Sequence, residues 1–162
     1  MIAGLSVDNF THLHVAISLV GIVSGLIVLA GMLRARSLQG WTALFLVTTV
    51  LTSVTGFMFP INGLTPGIVI GLISIVILAI ALMALYVKNL SGAWRWIYVL
   101  TALIALYFNV FVLIVQSFQK VPALQKLAPT QSEPLFSVTQ GVVLVPFLIL
   151  GIMAARRFRP TP

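Results

Sequence analysis

Two histidines, His12 and His14, are the only ones in the 162-residue chain, which has no cysteine. Imidazole nitrogens bind haem iron, copper and zinc, so these two residues could hold a cofactor. Residues two apart on a helix point about 200° away from each other, so one chain cannot place both rings on one haem, whereas a dimer could use His14 from each copy. If the segment around His12 and His14 is extended instead, the two imidazoles could bind copper or zinc together with Asp8, Glu133 or Met58. We favour a pair of polar interfacial residues without a cofactor.

A second set of polar residues lies within a long apolar stretch that follows Trp96. Its members recur at helical spacing along one side: Tyr98, Thr101, Ala105, Asn109, Val112 and Gln116. An unpaired amide in hydrocarbon costs several kcal/mol, so Asn109 should point into a helix bundle and find partners there. Either it joins two helices by a hydrogen bond, or it contacts a ligand, lipid or quinone.

The expected partners of Asn109 are hydroxyl groups in the apolar stretch that follows Trp41: Thr48, Thr49, Thr52, Ser53 and Thr55. Serine and threonine in a helix can return a hydrogen bond to the carbonyl four residues earlier, so this stripe fits dry packing. It also fits a ligand-lining face. The residues predicted to line such a cavity are Thr52, Thr55, Tyr98, Asn109, Gln116 and, in the outer polar segment, Gln140.

The composition decides which class of protein carries these residues. The chain is 60% hydrophobic and 7% charged, with a mean hydropathy of +1.19. Soluble domains have about 25% charged residues, so a soluble enzyme, a disordered chain and a disulfide-stapled secreted domain are excluded. The net charge of +7 does not indicate nucleic-acid binding, because the basic residues stand singly or in short groups between apolar runs rather than on one face.

A helix needs about 20 mostly apolar residues to cross the hydrocarbon of a bilayer. Five uncharged stretches meet this need, and none alternates as barrel strands do. The predicted spans are 14–33, 41–59, 67–87, 96–118 and 136–155. The sequence therefore predicts an all-α, single-domain bundle of five transmembrane helices over residues 1–162, with a turn at 60–66 between the second and third spans.

The loop charges predict the orientation of this bundle. Seven basic residues fall on one side: Arg34, Arg36, Lys88, Arg95, Arg156, Arg157 and Arg159. The other side holds Lys120 and Lys126 together with both acidic residues. Lysine and arginine concentrate in cytoplasmic loops, so the N-terminus is predicted outside and the C-terminus in the cytoplasm.

Small residues recur at the spacing that lets helices approach closely in lipid. Gly21 and Gly25 have GxxxG spacing in the first span, and Gly67 and Gly71 have it in the third. We interpret both pairs as packing faces within one bundle. Contact between protomers is the alternative.

No Asp, Glu, Lys or Arg lies inside a predicted span. Pumps and ion-coupled carriers usually depend on intramembrane carboxylates or histidines, and voltage sensors on arginines, so these functions are disfavoured. The sequence also has no Gly-rich phosphate loop, nucleophile–base set or paired carboxylates, so we do not expect an enzyme.

Two stretches carry a resemblance. One is 41–57, WTALFLVTTVLTSVTGF, with Phe59 and Pro60; the other is 107–116, YFNVFVLIVQ, with KVPAL at 120–124 and APTQSEP at 128–134. Over most of its length the chain resembles a group of small bacterial inner-membrane proteins described only as hypothetical membrane proteins. The resemblance implies a multi-pass protein of the bacterial cytoplasmic membrane. It implies no activity and no binding residues.

These observations lead us to expect a non-enzymatic membrane protein, an accessory or assembly subunit or a small homo-oligomer, whose partners are the bilayer and a larger membrane complex or its own copies. We expect no nucleic acid and no bound cofactor. One alternative is binding or passage of a neutral or lipid-like solute through the predicted cavity. Another is a redox subunit with haem, quinone or copper at His14 and His12.

Overall fold

A computed structural model of the chain describes residues 1–60, 63 and 66–159, and within these residues the fold is all-helical. The helices are α1 (Val7–Leu33), α2 (Gln39–Gly56), α3 (Pro66–Leu82), α4 (Trp94–Lys120), α5 (Pro122–Leu127) and α6 (Pro134–Arg157), and a π-helical turn (Met83–Val87) continues α3. The predicted all-α class is confirmed. Of the predicted turn at 60–66, residues 61, 62, 64 and 65 lie outside the described residues.

Four of the described helices are long and apolar enough to cross a membrane: α1, α3 with its π-helical turn, α4 and α6. The helix α2 has 18 residues and is not among the four. Gln39 at its start and the hydroxyl groups along it lower its hydropathy. The chain is thus compatible with a multi-pass membrane protein, and the fifth crossing stays a prediction.

The five long helices all begin before their predicted spans, but α2 ends at Gly56 rather than at the predicted end at 59. The helix α1 begins at Val7 rather than His14, while α4 and α6 each extend two residues further at both ends. The apolar run ends where polar residues begin, whereas a helix continues until its backbone groups find other partners. At the start of α1 the Ser6 hydroxyl provides such a partner, because its Oγ accepts a hydrogen bond from the Asn9 N–H at 3.2 Å.

The helices α1 and α2 run antiparallel and stay in contact along their length. A Cβ placed on Gly56 would lie 3.7 Å from His14 Cε1, one on Gly21 would lie 3.2 Å from Thr48 Oγ1, and one on Gly31 would lie 2.8 Å from Leu38 Cδ1. The start of α1 therefore lies beside the end of α2. We call this end of the bundle the cavity half and the opposite end the core half.

The core half is filled by large side chains from α1, α2 and α4. The most deeply buried of these include Met32, Phe45, Leu46, Tyr98 and Leu106. Of these, Phe45 and Leu106 pack directly against Gly25 of α1. This close approach holds the three helices together in the core half.

Three of the four predicted packing glycines face other helices of the same chain, whereas Gly67 is exposed at the start of α3. Gly21 faces α2 and α4, Gly25 faces Phe45 and Leu106, and Gly71 faces the Phe57 ring. Close packing of this kind takes place within one protomer, which favours the intramolecular interpretation of these faces.

The glycine at position 25 gives a test of this packing. A Cβ there would lie 2.6 Å from Leu106 Cδ1 and 2.9 Å from Phe45 Cδ2, and both side chains are fully enclosed. We expect Gly25→Ala to lower the free energy of unfolding by about 1–3 kcal/mol, as overpacking does. The measurement is reversible unfolding in mixed detergent micelles.

Gly141→Ala is the matched control, because a Cβ at Gly141 in α6 would meet nothing within 4 Å. Alanine is the better helix former, so this variant should be unchanged or up to about 1 kcal/mol more stable. Equal effects of the two substitutions would contradict the packing described for Gly25.

Candidate binding cavity

A cavity of about 510 Å³ lies in the cavity half, between α1, α2, α3 and α4. Pockets for small molecules usually measure about 300–1,000 Å³, so this one is large enough for a single ligand. Most of its wall is apolar, with Leu19, Ile22, Ile70, Phe108 and Val112 among the lining residues. The polar lining residues are Thr11, His14, Ser18, Thr52, Ser53, Ser74, Asn109, Gln116, Ser117 and Lys120.

The floor of the cavity is formed where Asn109 meets α2. Its Nδ2 donates a hydrogen bond of 3.2 Å to Thr49 Oγ1, which confirms the predicted pairing of this amide with a hydroxyl of the second span. A Cβ on Gly21 would lie 3.6 Å from the same Nδ2 and 3.4 Å from Thr49 Oγ1, so the missing side chain makes room for the pair. Below this layer the densely packed core half begins.

The hydroxyl stripe of α2 is satisfied largely by its own helix. Thr48 Oγ1 donates to the Leu44 carbonyl at 2.7 Å, Thr52 Oγ1 to the Thr48 carbonyl at 2.9 Å and Ser53 Oγ to the Thr49 carbonyl at 3.1 Å. Ser18 of α1 does the same with the His14 carbonyl at 2.8 Å. These hydroxyls therefore need no water or ligand to balance their burial.

Other polar groups on the cavity wall have no protein partner in the described part of the chain. Ser74 of α3 is only 5% exposed, yet its hydroxyl makes no hydrogen bond there. Asn109 is half-buried and Gln116 is exposed, and the hydrogen bond of Asn109 Nδ2 to Thr49 is the one side-chain hydrogen bond of these two amides within the described residues. The cavity wall therefore carries polar groups that can form hydrogen bonds with a molecule that enters it.

His14 stands about 10 Å above the floor, seven residues from Gly21 at 1.5 Å per residue. Its Nδ1 lies 2.7 Å from Thr55 Oγ1, and its ring meets the Phe59 ring edge to face at 5.3 Å between centroids. Nε2 has no protein partner in the described residues. The ring is thus fixed by one nitrogen and leaves the other free to bind.

His12 is helical and exposed, so it does not join His14. The extended His-x-His segment considered for copper or zinc does not form, because α1 already begins at Val7. No group of three His, Cys, Asp or Glu side chains that could hold a metal ion occurs in the described ranges.

The structure brings some of the predicted site residues together and separates others. Thr52, Asn109, Gln116, His14, Gly67 and Gly71 line one cavity. Thr55 stands behind the His14 ring. Tyr98 is 1% exposed in the core half, with its ring centroid 6.1 Å from that of Phe158.

Gln140 lies on α6, away from the cavity. Its Nε2 donates to the Phe111 carbonyl at 3.4 Å, and its Oε1 is buried without a partner in the described residues. Helical spacing correctly identifies one side of α4, but this side runs the whole length of the helix while the cavity occupies one half of it.

Sequence reasoning missed two parts of the site. Ser74 continues the glycine face of α3, one turn from Gly71, and this spacing was the signal that could have identified it as a lining residue. The aromatic walls Phe57 and Phe108 have no such signal, because phenylalanines at lipid-facing, packed and cavity-lining positions are alike in sequence.

No protein-family model, no curated protein and no solved structure matches this chain. No residue role comes from a relative, and the function is inferred from the cavity residues alone. The resemblance to small bacterial inner-membrane proteins stays a prediction.

The hydrogen bond between Asn109 and Thr49 can be measured by a double-mutant cycle. We expect Asn109→Leu and Thr49→Val to show a coupling energy of about 0.6 kcal/mol and not more than about 1.7 kcal/mol, the range found for polar pairs between membrane helices. The readout is the free energy of unfolding of the two single variants and the double variant. Strict additivity of the two substitutions would show that the amide and the hydroxyl do not interact.

Proposed function

We propose that this protein is a non-enzymatic, multi-pass membrane protein that holds one neutral, lipid-like molecule in the cavity between α1, α2, α3 and α4. The observation that carries the proposal is a largely apolar cavity of about 510 Å³ whose wall includes polar groups with no partner among the described residues. An apolar pocket with a few convergent polar groups is the usual form of a small-molecule site.

The lining residues favour a neutral ligand. Among the described residues that line the cavity no carboxylate occurs, and Lys120 is the one lysine or arginine. Lys120 is exposed and stands at the end of α4, next to the opening rather than the floor. Deeper in the cavity the polar groups are hydroxyls, amides and an imidazole, which recognise hydroxyl, carbonyl and amide groups better than ions.

The cavity does not continue through the core half. Between Asn109 and the far end of the bundle, Gly25, Phe45 and Leu106 pack without space for a ligand, and the remaining gap beside them measures about 10 Å³. A volume of this size holds one water molecule at most. This favours binding at one side of the bundle over a continuous passage.

Five crossings, with the N-terminus outside, are part of the proposal. With 18 residues, α2 is about 27 Å long at 1.5 Å per residue, close to the hydrocarbon thickness of about 30 Å. It also contacts α1 along the stretch from Gly31 to His14. If α1 crosses the membrane, α2 therefore spans the same depth beside it. The basic loops then lie on the cytoplasmic side of a bacterial inner membrane, and the cavity opens to the outside.

An accessory or assembly role, as a homo-oligomer or within a larger complex, stays a prediction beside this one. Much of the surface of α6 is apolar and exposed, including Val142, Val145, Leu148 and Ile152. Lipid covers such a surface as well as a partner helix does.

Cysteine labelling tests the number of crossings, and the chain offers a background free of cysteine. Ser37, Ser91 and Ser132 are exposed in the loops before α2, α4 and α6, respectively. If α2 crosses, Ser37→Cys and Ser91→Cys lie on the same side and Ser132→Cys on the other. In intact cells, a membrane-impermeant maleimide should then label only Ser132→Cys.

If α2 does not cross, Ser37→Cys and Ser91→Cys lie on opposite sides, and this outcome would contradict the five-span proposal. Labelling after the cells are permeabilised is the control that each cysteine is reactive. Labelling of both Ser37→Cys and Ser91→Cys, without Ser132→Cys, in intact cells would retain five crossings and reverse the orientation.

Filling the cavity tests the binding function. Ser74→Leu adds bulk to the wall without removing a hydrogen bond, so we expect folding to be retained and binding of 1-N-phenylnaphthylamine, a neutral apolar fluorophore, to fall at least about tenfold, equal to 1.4 kcal/mol. The matched control is Ser137→Leu on α6, where the serine is exposed and away from the cavity. Equal fluorophore binding by the two variants would contradict the proposed site.

A further inference from the structure

The hydrogen bonds around His14 determine which ring nitrogen carries the proton. Thr55 has one hydroxyl hydrogen, and its Oγ1 lies 2.7 Å from the Leu51 carbonyl oxygen, with the Thr52 carbonyl oxygen at 3.3 Å. At 2.7 Å two oxygens need a hydrogen between them, because carbonyl oxygens only accept. The Thr55 hydroxyl therefore donates to its own helix, as threonines in helices commonly do.

The same Thr55 oxygen lies 2.7 Å from His14 Nδ1. Since its hydrogen is already used, the oxygen can only accept from the ring. Nδ1 must carry the proton, and in a neutral imidazole Nε2 is then an acceptor with a free lone pair. Phe59 packs against the ring edge to face, and a Cβ on Gly56 would lie 3.7 Å from Cε1, so the ring is held in this orientation.

A ligand beside Nε2 must therefore supply a hydrogen. A ketone, quinone, ether or ester has only acceptor oxygens and gains nothing from this nitrogen. A hydroxyl group donates to it and still has lone pairs for a donor elsewhere on the wall. Ser74 is such a donor, since it has no partner in the described residues.

We propose that the molecule held in the cavity carries a hydroxyl group, which donates a hydrogen bond to His14 Nε2, on an otherwise apolar body. This inference rests on the proposed binding function and names the chemistry of the ligand's polar end. Thr55 acts as a positioning residue, because it sets the proton on His14 and does not line the cavity itself. Long-chain alcohols, isoprenoid alcohols and quinols share this chemistry.

The experiment compares three probes of equal chain length: 1-dodecanol, 1-methoxydodecane and dodecanoate. Affinities are measured by displacement of 1-N-phenylnaphthylamine from the full chain in detergent. The alcohol and the ether differ in one hydrogen-bond donor, which contributes about 0.5–1.5 kcal/mol. Wild type should therefore bind the alcohol about two- to tenfold more tightly than the ether.

Two variants connect this preference to the ring. His14→Phe removes the acceptor, so the alcohol and ether affinities should become equal. Thr55→Val keeps the ring but removes the oxygen that holds the proton on Nδ1, so the preference should shrink while both probes still bind. His12→Phe is the matched control, because His12 is exposed on the same helix, and it should keep the wild-type preference.

Nitrogen-15 NMR of the histidine rings measures the tautomer directly in the wild-type protein, whatever the stability of the variants. We expect the protonated, pyrrole-type signal at Nδ1 of His14 and the unprotonated, pyridine-type signal at Nε2. A proton on Nε2, or equal wild-type affinities for the alcohol and the ether, would overturn the inference. The proposed function would still hold in that case if the fluorophore binds to wild type and Ser74→Leu weakens this binding. Lipid extracted from the purified protein distinguishes the two sources of such a ligand. An isoprenoid alcohol in the extract identifies the first source, and a redox-active quinol identifies the second.

Two other outcomes also contradict the inference. Dodecanoate as the tightest probe, with its advantage lost in Lys120→Gln, would show that the site selects an anion at its opening. A Soret band in the absorption spectrum of the purified protein that is lost in His14→Phe and kept in His12→Phe would show that His14 binds haem iron. If none of the probes or the fluorophore binds and Ser74→Leu changes nothing, the proposed function fails together with the inference.

Discussion

The close approach of α1 to α2 and α4 is the constraint on which the rest of the structure depends. At Gly25 a single added carbon would lie 2.6 Å from Leu106 and 2.9 Å from Phe45, so the helices there are as near as backbone and side chains allow. Helix association in lipid depends on such packing rather than on the burial of apolar surface from water. One end of the bundle is therefore fixed by contact.

In the cavity half, α1, α2 and α3 contribute small residues to a largely apolar wall. Ser18 of α1, Ser53 and Gly56 of α2, and Gly71 and Ser74 of α3 all line the cavity. Gly71 packs against the Phe57 ring and Gly56 lies beside His14, so the open space lies next to the three serines, whose side chains are too short to fill it.

Polar groups in an apolar medium make the content of this cavity chemically specific. The hydroxyls of Ser18, Thr52 and Ser53 are satisfied by carbonyls of their own helices, so the sequence feature that looks most polar contributes little to recognition. Recognition falls to the groups that have no partner among the described residues: the Ser74 hydroxyl, Asn109 Oδ1 and His14 Nε2. A polar atom left unpaired in a low-dielectric site costs more free energy than a typical hydrogen bond contributes, so these few groups dominate the choice of ligand.

The sequence predicts the contacts that follow from the free-energy cost of leaving a single polar group unpaired in hydrocarbon. An amide at the centre of an apolar helix must find a partner, and Asn109 finds it on α2 as expected. The position of a residue along the bundle does not follow from periodicity, so Tyr98 shares a side of α4 with Asn109 but belongs to the packed half. The role of His14 depends on Thr55, which is 41 residues away in sequence, and on where the hydroxyl of Thr55 sends its hydrogen.

The chain of hydrogen bonds from the Leu51 carbonyl through Thr55 to His14 shows how a helix with a satisfied hydroxyl stripe can still determine specificity. Thr55 donates its hydrogen to carbonyl oxygens of its own helix, so its oxygen accepts the proton on His14 Nδ1. The other ring nitrogen, Nε2 on α1, is then left as a hydrogen-bond acceptor. Had Thr55 been a valine, the ring could take either tautomer, and the same cavity would accept ketones and alcohols alike. Specificity in this site thus depends on Thr55, which does not touch the ligand, because Thr55 determines whether His14 Nε2 accepts or donates a hydrogen bond.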